Sequence, residues 1–144
     1  MRFRKKSKAK LGNKHIFVDG ITFDSMAEAR RYRDLKLLEK NGDISGLELQ
    51  KRYEIIPAQY ELKPTGETYK RGILKGQEKL KKVCIEQSLV YIADFVYKDN
   101  RTGETIVEDV KGYTDPKSAV YAKFVIKRKL MLWLYGICVV EVKY

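Results

Sequence analysis

Tyr91-Ile92-Ala93-Asp94-Phe95-Val96-Tyr97 and, shortly after it, Val107-Glu108-Asp109-Val110-Lys111-Gly112 are the two stretches on which the reading of this chain turns. Between them, Asp99-Asn100-Arg101-Thr102-Gly103 is turn chemistry. The two stretches therefore read as strands of one hairpin. Side chains alternate along a strand, so Asp109 and Lys111 share one face while Glu108 and Val110 share the other. Across the hairpin, Asp94 comes alongside Asp109. A charge set among Ile92, Ala93, Phe95 and Val96, or among Ile106, Val107 and Val110, costs stability unless something pairs with it. The plainer alternative is an exposed strand aspartate and a surface Asp–Lys pair on a sheet edge.

Upstream, residues 15–23 alternate around Asp19-Gly20 and predict a short hairpin. Residues 25–40 predict a helix: Ser25 with Glu28 three residues on fits a capping box, and Asn41-Gly42 supplies the stop. Residues 47–56 are strand-like and end at Pro57. Residues 61–82 hold Lys63, Lys70, Arg71, Lys75, Lys79, Lys81 and Lys82 and read as a long basic loop or a β-excursion. Residues 83–97 are strand-rich, and residues 104–111 return. A second helix is expected from about Pro116 to Tyr135, stopped by Gly136, with a closing apolar strand over 137–142. The order hairpin, α, β, loop, hairpin, α, β gives an α/β (α+β) class with a mixed central β-sheet flanked by helices.

The 144 residues fit one domain. The unusual quantity is the charge balance, 30 Lys+Arg against 19 Asp+Glu, a formal net charge of +11. That is the footprint of a polyanion partner, most often nucleic acid. Residues 1–14 carry seven of the cations and no acid, with few apolar residues, and read as a flexible basic arm. Such an arm either lies along a phosphate backbone or serves as a solubilising tail. The two cysteines, Cys84 and Cys138, form no CxxC pair, so a structural zinc is not expected, and free thiols fit a reducing cytosol. Both cysteines read as core residues. No apolar run reaches the ~20 residues of a membrane span, and the basic N-terminus lacks the apolar segment of a signal peptide.

Two carboxylates and a lysine at these positions suit the hydrolysis of a phosphodiester. Carboxylates hold Mg²⁺, because hard oxygen ligands suit that ion, and the metal lowers the pKa of its bound water. A lysine beside the phosphate orients the nucleophile or stabilises developing charge. Glu28 adds a third carboxylate. It shares a helix face with Tyr32 and Leu35, so it looks toward the protein either as a metal ligand or as a capping glutamate reaching the Ser25 backbone. On the second helix, Val120, Phe124, Met131 and Leu134 line one arc. Lys127 falls within that arc and Lys123 at its border, either snorkelling to water or aimed at the site. Gln50 reads slightly better as an exposed strand residue than as a site residue, and the lone His15 does not read as a ligand.

The order of parts resembles the PD-(D/E)XK nuclease superfamily. Asp94 matches its first acid, Asp109-Val110-Lys111 its (D/E)XK element, and Glu28 the acid often found on the first helix. Ala93 stands where the motif has proline. Val18-Asp19-Gly20-Ile21-Thr22-Phe23-Asp24-Ser25, Glu28-Ala29, Leu35-Lys36-Leu37-Leu38 and Leu47-Glu48-Leu49-Gln50, with the two strands quoted first, are similar to small phage and prophage proteins grouped with such nucleases. The first-helix pattern is also similar to transposon endonucleases of the TnsA type. Holliday-junction resolvases and restriction enzymes are relatives of the superfamily. The resemblance implies a restriction-endonuclease-like fold over 15–144 and a Mg²⁺- or Mn²⁺-dependent DNA endonuclease in the bacterial host cytoplasm. It implies Glu28, Asp94 and Asp109 as metal ligands and Lys111 as the catalytic lysine. Arg2, Arg4, Lys5, Lys6, Lys8, Lys10, Lys70, Arg71, Lys75, Lys123 and Lys127 are the expected DNA contacts, and symmetric cutting calls for a homodimer. The rival expectations are a non-catalytic DNA-binding module of the same fold and a subunit needing a partner.

Overall fold

A computed structural model describes residues 15–112 and 115–144. The basic arm of 1–14 lies outside the described residues. Ile16–Val18 (β1) and Ile21–Phe23 (β2) form the expected short hairpin. Its turn residues Asp19 and Gly20 both take positive φ, which Asp tolerates and glycine adopts freely. Met26–Asn41 (α1) follows. Ser25 Oγ accepts from the Glu28 amide at 3.1 Å, and Gly42 at φ 81° closes the C-terminus by donating to the Glu39 carbonyl. Ala27, Ala29, Tyr32 and Leu35 form its buried stripe.

The central sheet has four strands in the order β3-β6-β7-β8: Ile44–Ile56 (β3), Leu89–Asp99 (β6), Thr105–Lys111 (β7) and Val140–Lys143 (β8). The first three are antiparallel neighbours, and β7 pairs with β8 in parallel. A parallel pair needs a crossover, and Ala119–Tyr135 (α2) supplies it. The mixed sheet flanked by helices is the expected class.

Each helix covers one face of the sheet. On the α1 side Phe95, Tyr97 and Val110 join Tyr32 and Leu35; on the α2 side Tyr91, Ala93, Val96 and Val107 join Phe124 and Met131. Residues two apart in a regular strand share a face, yet Ala93 and Phe95 pack on opposite sides. So β6 changes face at Asp94. In β3, Leu47 and Leu49 pack on the α1 side while Tyr53 and Ile55 pack on the α2 side, so β3 changes face too. The register keeps Leu49 opposite Phe95 and Lys51 opposite Ala93, which sets Gln50 against Asp94 at the crossing point. Gln50 absorbs the twist with a φ of 51°, in the left-handed region.

One of two alternatives is selected and four expectations change. Residues 61–82 are no open loop: Gln59–Thr68 (β4) and Glu78–Glu86 (β5) pair as a separate two-stranded ribbon, the β-excursion of the two readings. The strand-rich stretch 83–97 accordingly splits between β5 and β6 at Gln87-Ser88. The second helix starts at Ala119, capped by the Ser118 hydroxyl, so Pro116 stands before it. Val120 in its first turn and Leu134 in its last are exposed, which leaves Phe124 and Met131 of the expected arc in the core. Cys138 is exposed and Cys84 half-buried, because both sit beyond the two core clusters.

Candidate active site

The ladder between β6 and β7 stops at Phe95 opposite Glu108. The next residues in the same register are Asp94 and Asp109, and there the strands part. Asp94 fills the gap: its Oδ2 accepts from the Val110 amide at 2.7 Å, in place of a strand carbonyl. Its Oδ1 accepts from Gln50 Nε2 at 3.2 Å. The change of face in β6 thus turns one carboxylate into the sheet's own opening. Burial pushes the Asp94 carboxyl up to about 6 against the relief of the Val110 amide, and the neighbouring Asp109 and Glu28 charges push the same way.

Asp109 is 5% exposed and faces the α2 side. Tyr91 donates to its Oδ1 at 3.3 Å. Its buried Oδ2 is in ion-pair contact with the Lys111 ammonium, without a donor in aligned hydrogen-bond geometry. Burial raises its pKa, while Lys111 and Tyr91 pull it down. Lys111 lies over the Phe124 ring, 4.2 Å from its centroid, so an aromatic face and a carboxylate fix the same ammonium. Alternation along β7 placed Asp109 and Lys111 together as expected.

Glu108 looks the other way and is 2% exposed. Arg31 of α1 grips it with two hydrogen bonds, 2.8 Å from Nε and 2.5 Å from the terminal nitrogen, and Tyr97 donates to it at 2.6 Å. Glu108 is a structural anchor between helix and sheet, with no access to the Asp109 face. Glu28 is half-buried and close enough to raise the Asp94 pKa. Ser25 Oγ donates to its Oε1 at 2.7 Å, so the glutamate binds the cap's hydroxyl and not its backbone. Among the described residues no three His, Cys, Asp or Glu side chains converge as a metal cluster. The opposed Asp94 and Asp109, with Glu28 nearby, are what the fold brings together.

A cleft of about 680 Å³ opens beside Asp109 and Lys111, between the start of β6 and α2, with Tyr91, Phe124, Lys123 and Lys127 in its walls. Lys127 donates to the Val90 carbonyl at 2.8 Å, a group that β7 does not reach. Its ammonium is therefore engaged as well as cleft-facing. Lys123 is exposed, whereas Lys70, Arg71 and Lys75 stand on the separate ribbon. The sequence reading missed Tyr91 as a donor to Asp109, and ranked Gln50 below its place on Asp94. It also missed Glu141, which lies opposite Asp109 on β8 and is held by Tyr121 at 3.1 Å and Arg128 at 3.3 Å. Glu141 stands between Val140 and Val142, an acid in an apolar strand, which is the kind of signal that singled out Asp94 and Asp109.

No helix among the described residues is long and apolar enough to cross a membrane. No curated protein and no solved structure matches the chain. A family described as "Protein of unknown function (DUF1064)" matches residues 8–139, nearly the whole chain. The chain belongs to the DUF1064 family.

Proposed function

We propose that the protein is a metal-dependent DNA endonuclease of the PD-(D/E)XK kind, of phage or prophage origin, acting on branched or duplex DNA in recombination or packaging. One observation carries the reading. Where β6 and β7 part, two carboxylates meet with raised pKa values, beside a lysine and a cleft with two further lysines in its walls. Burying two like charges on adjacent strands, close enough for Asp109 to raise the Asp94 pKa, is costly unless a cation joins them. The donor set fits a hard divalent ion: Mg²⁺ takes one or two protein carboxylates and completes its shell with water and phosphate oxygens. Asp94 and Asp109 would hold it, with Glu28 able to reach through water. Once bound, the ion supplies a more acidic water and neutralises phosphate charge.

The chain's own residues do the rest. Val110 and Gln50 fix both oxygens of Asp94. Tyr91 orients Asp109. Lys111, held over Phe124, offers a positive charge where the phosphorane charge develops. In the reaction a water oxygen bonds to phosphorus as one P–O ester bond breaks, leaving a phosphate monoester and a hydroxyl. Cutting both strands symmetrically takes two copies of the centre, hence a homodimer.

The absence of a third converging carboxylate among the described residues, and the Asp109–Lys111 ion pair, favour a second reading: a DNA-binding module that kept the fold. Cleavage of duplex, single-stranded and four-way-junction DNA with Mg²⁺ or Mn²⁺ separates them. The parent should cut at least one, and Asp94→Asn and Lys111→Ala should each lose 10²-fold or more. A parent that binds all three and cuts none makes it a binding module. Unchanged cutting by either variant sinks the site.

A further inference from the structure

The segment between β3 and β6 builds a ribbon that the chemistry above does not use. β4 and β5 pair only with each other, and every residue of β4 is exposed. Two strands alone are marginal in water. Backbone hydrogen bonds nonetheless close the tip, from Gly76 to the Tyr69 carbonyl at 2.9 Å and from Tyr69 to the Gln77 carbonyl at 3.0 Å. Residues 69–77 hold Lys70, Arg71 and Lys75 and no acid. The ribbon's ion pairs, Lys63 with Glu61 and Lys79 with Glu67, lie below the tip. Among the three tip cations Ile73 is fully exposed.

We propose that this ribbon enters the minor groove of duplex DNA, with Lys70, Arg71 and Lys75 on flanking phosphates and Ile73 wedged between base steps as a kinking residue. The proposal rests on the nuclease reading only for its choice of DNA as partner. An apolar wedge framed by cations is what kinking a duplex requires, because phosphate contacts must offset the cost of unstacking. The nine residues of β5, against which β4 bulges between Pro64 and Thr68, span about 30 Å, close to the ~34 Å of one duplex turn. The tip therefore reaches about one turn beyond the ribbon's base. A second copy of the chain is the poorer occupant, since two basic tips repel.

The test uses the full chain without divalent ions, on a duplex carrying a fluorophore at each end. The triple variant Lys70→Gln, Arg71→Gln, Lys75→Gln should flatten the dependence of log K on log salt by about three. Ile73→Ala should leave that slope unchanged and return end-to-end energy transfer to its straight-duplex value. On a duplex with a central mismatch, already unstacked, Ile73→Ala should lose less affinity than on the paired one. Unchanged slope and unchanged transfer in both variants overturn the proposal. So does a fall from dimer to monomer mass in Ile73→Ala with DNA binding intact, which assigns the tip to a second copy. Cutting by the parent in Mg²⁺ is scored separately. A parent that kinks DNA through Ile73 but never cuts sinks the nuclease alone; one that cuts DNA left straight sinks the ribbon alone.

Discussion

Gln50 holds a left-handed backbone without being glycine, a strain of about 1–2 kcal/mol. Its side chain donates to Asp94, the residue opposite it, whose carboxyl is itself unfavourably buried. Two strained residues stand at one crossing point, where the proposed chemistry is placed, and such strain is often tolerated at functional sites. The Asp94 pKa is raised from 3.8 to about 6 in the fold, so the folded chain takes up a proton that the unfolded chain releases. Its contribution to stability is therefore fully present below about pH 4 and lost as the pH rises through 6. Asp94→Asn keeps an acceptor for the Val110 amide and removes the charge. It should unfold at a higher temperature than the parent at pH 8, by about 1–3 kcal/mol of stability, with the difference closing toward pH 4. Thermal melts across that range decide it, and a variant no more stable than the parent at pH 8 would refute the strain. Asp109 and Lys111 were legible because alternation in β7 is regular. Gln50 was not, because a strand's change of face leaves no mark in residue types.

At the scale of elements, α1 was readable almost to the residue, since Ser25 and Gly42 are local signals that the fold merely obeys. β4 and β5 were not. Tyr60, Leu62 and Pro64 alternate with Glu61 and Lys63 at a strand's period, but that face meets solvent and no core, so the pattern fits a basic loop as well as a β-excursion. The start of α2 was misplaced because proline and serine are both start signals, and the Ser118 hydroxyl won. How α1 is locked to the sheet lay outside sequence reasoning altogether, since Arg31 and Glu108 are 77 residues apart. The guanidinium is held by the Glu108 carboxylate, which raises its pKa further. Arg31→Ala leaves Glu108 buried with only Tyr97 to answer it. That should destabilise the fold by about 3–5 kcal/mol. Adding Glu108→Gln to it should restore part of the loss, because the orphaned charge goes while the Tyr97 bond can remain. Denaturant titration of the two variants measures this. A cost under 1 kcal/mol for Arg31→Ala would mean that the pair does not anchor the helix.

For the molecule as a whole, the net charge of +11 acts on stability and on binding with opposite sign. The folded chain concentrates 30 cations and 19 anions, so repulsion works against compactness. Several of its ion pairs are exposed, such as Lys36–Glu39 and Lys51–Glu48, and contribute little that salt can remove. The best-buried pairs, Arg31–Glu108 and Lys111–Asp109, are shielded from screening. Raising the salt from about 0.05 to 0.5 M, where the Debye length shrinks from over 10 Å to under 5 Å, should therefore raise the melting temperature. The same change should lower affinity for DNA by several orders of magnitude, because each phosphate contact releases a counterion. An uncharged pocket binder would show neither effect, and a protein held together by surface ion pairs would melt earlier in high salt. Melts and binding isotherms over one salt series read both signs at once. A melting temperature that falls with salt would show that attraction between unlike charges outweighs repulsion from the excess positive charge.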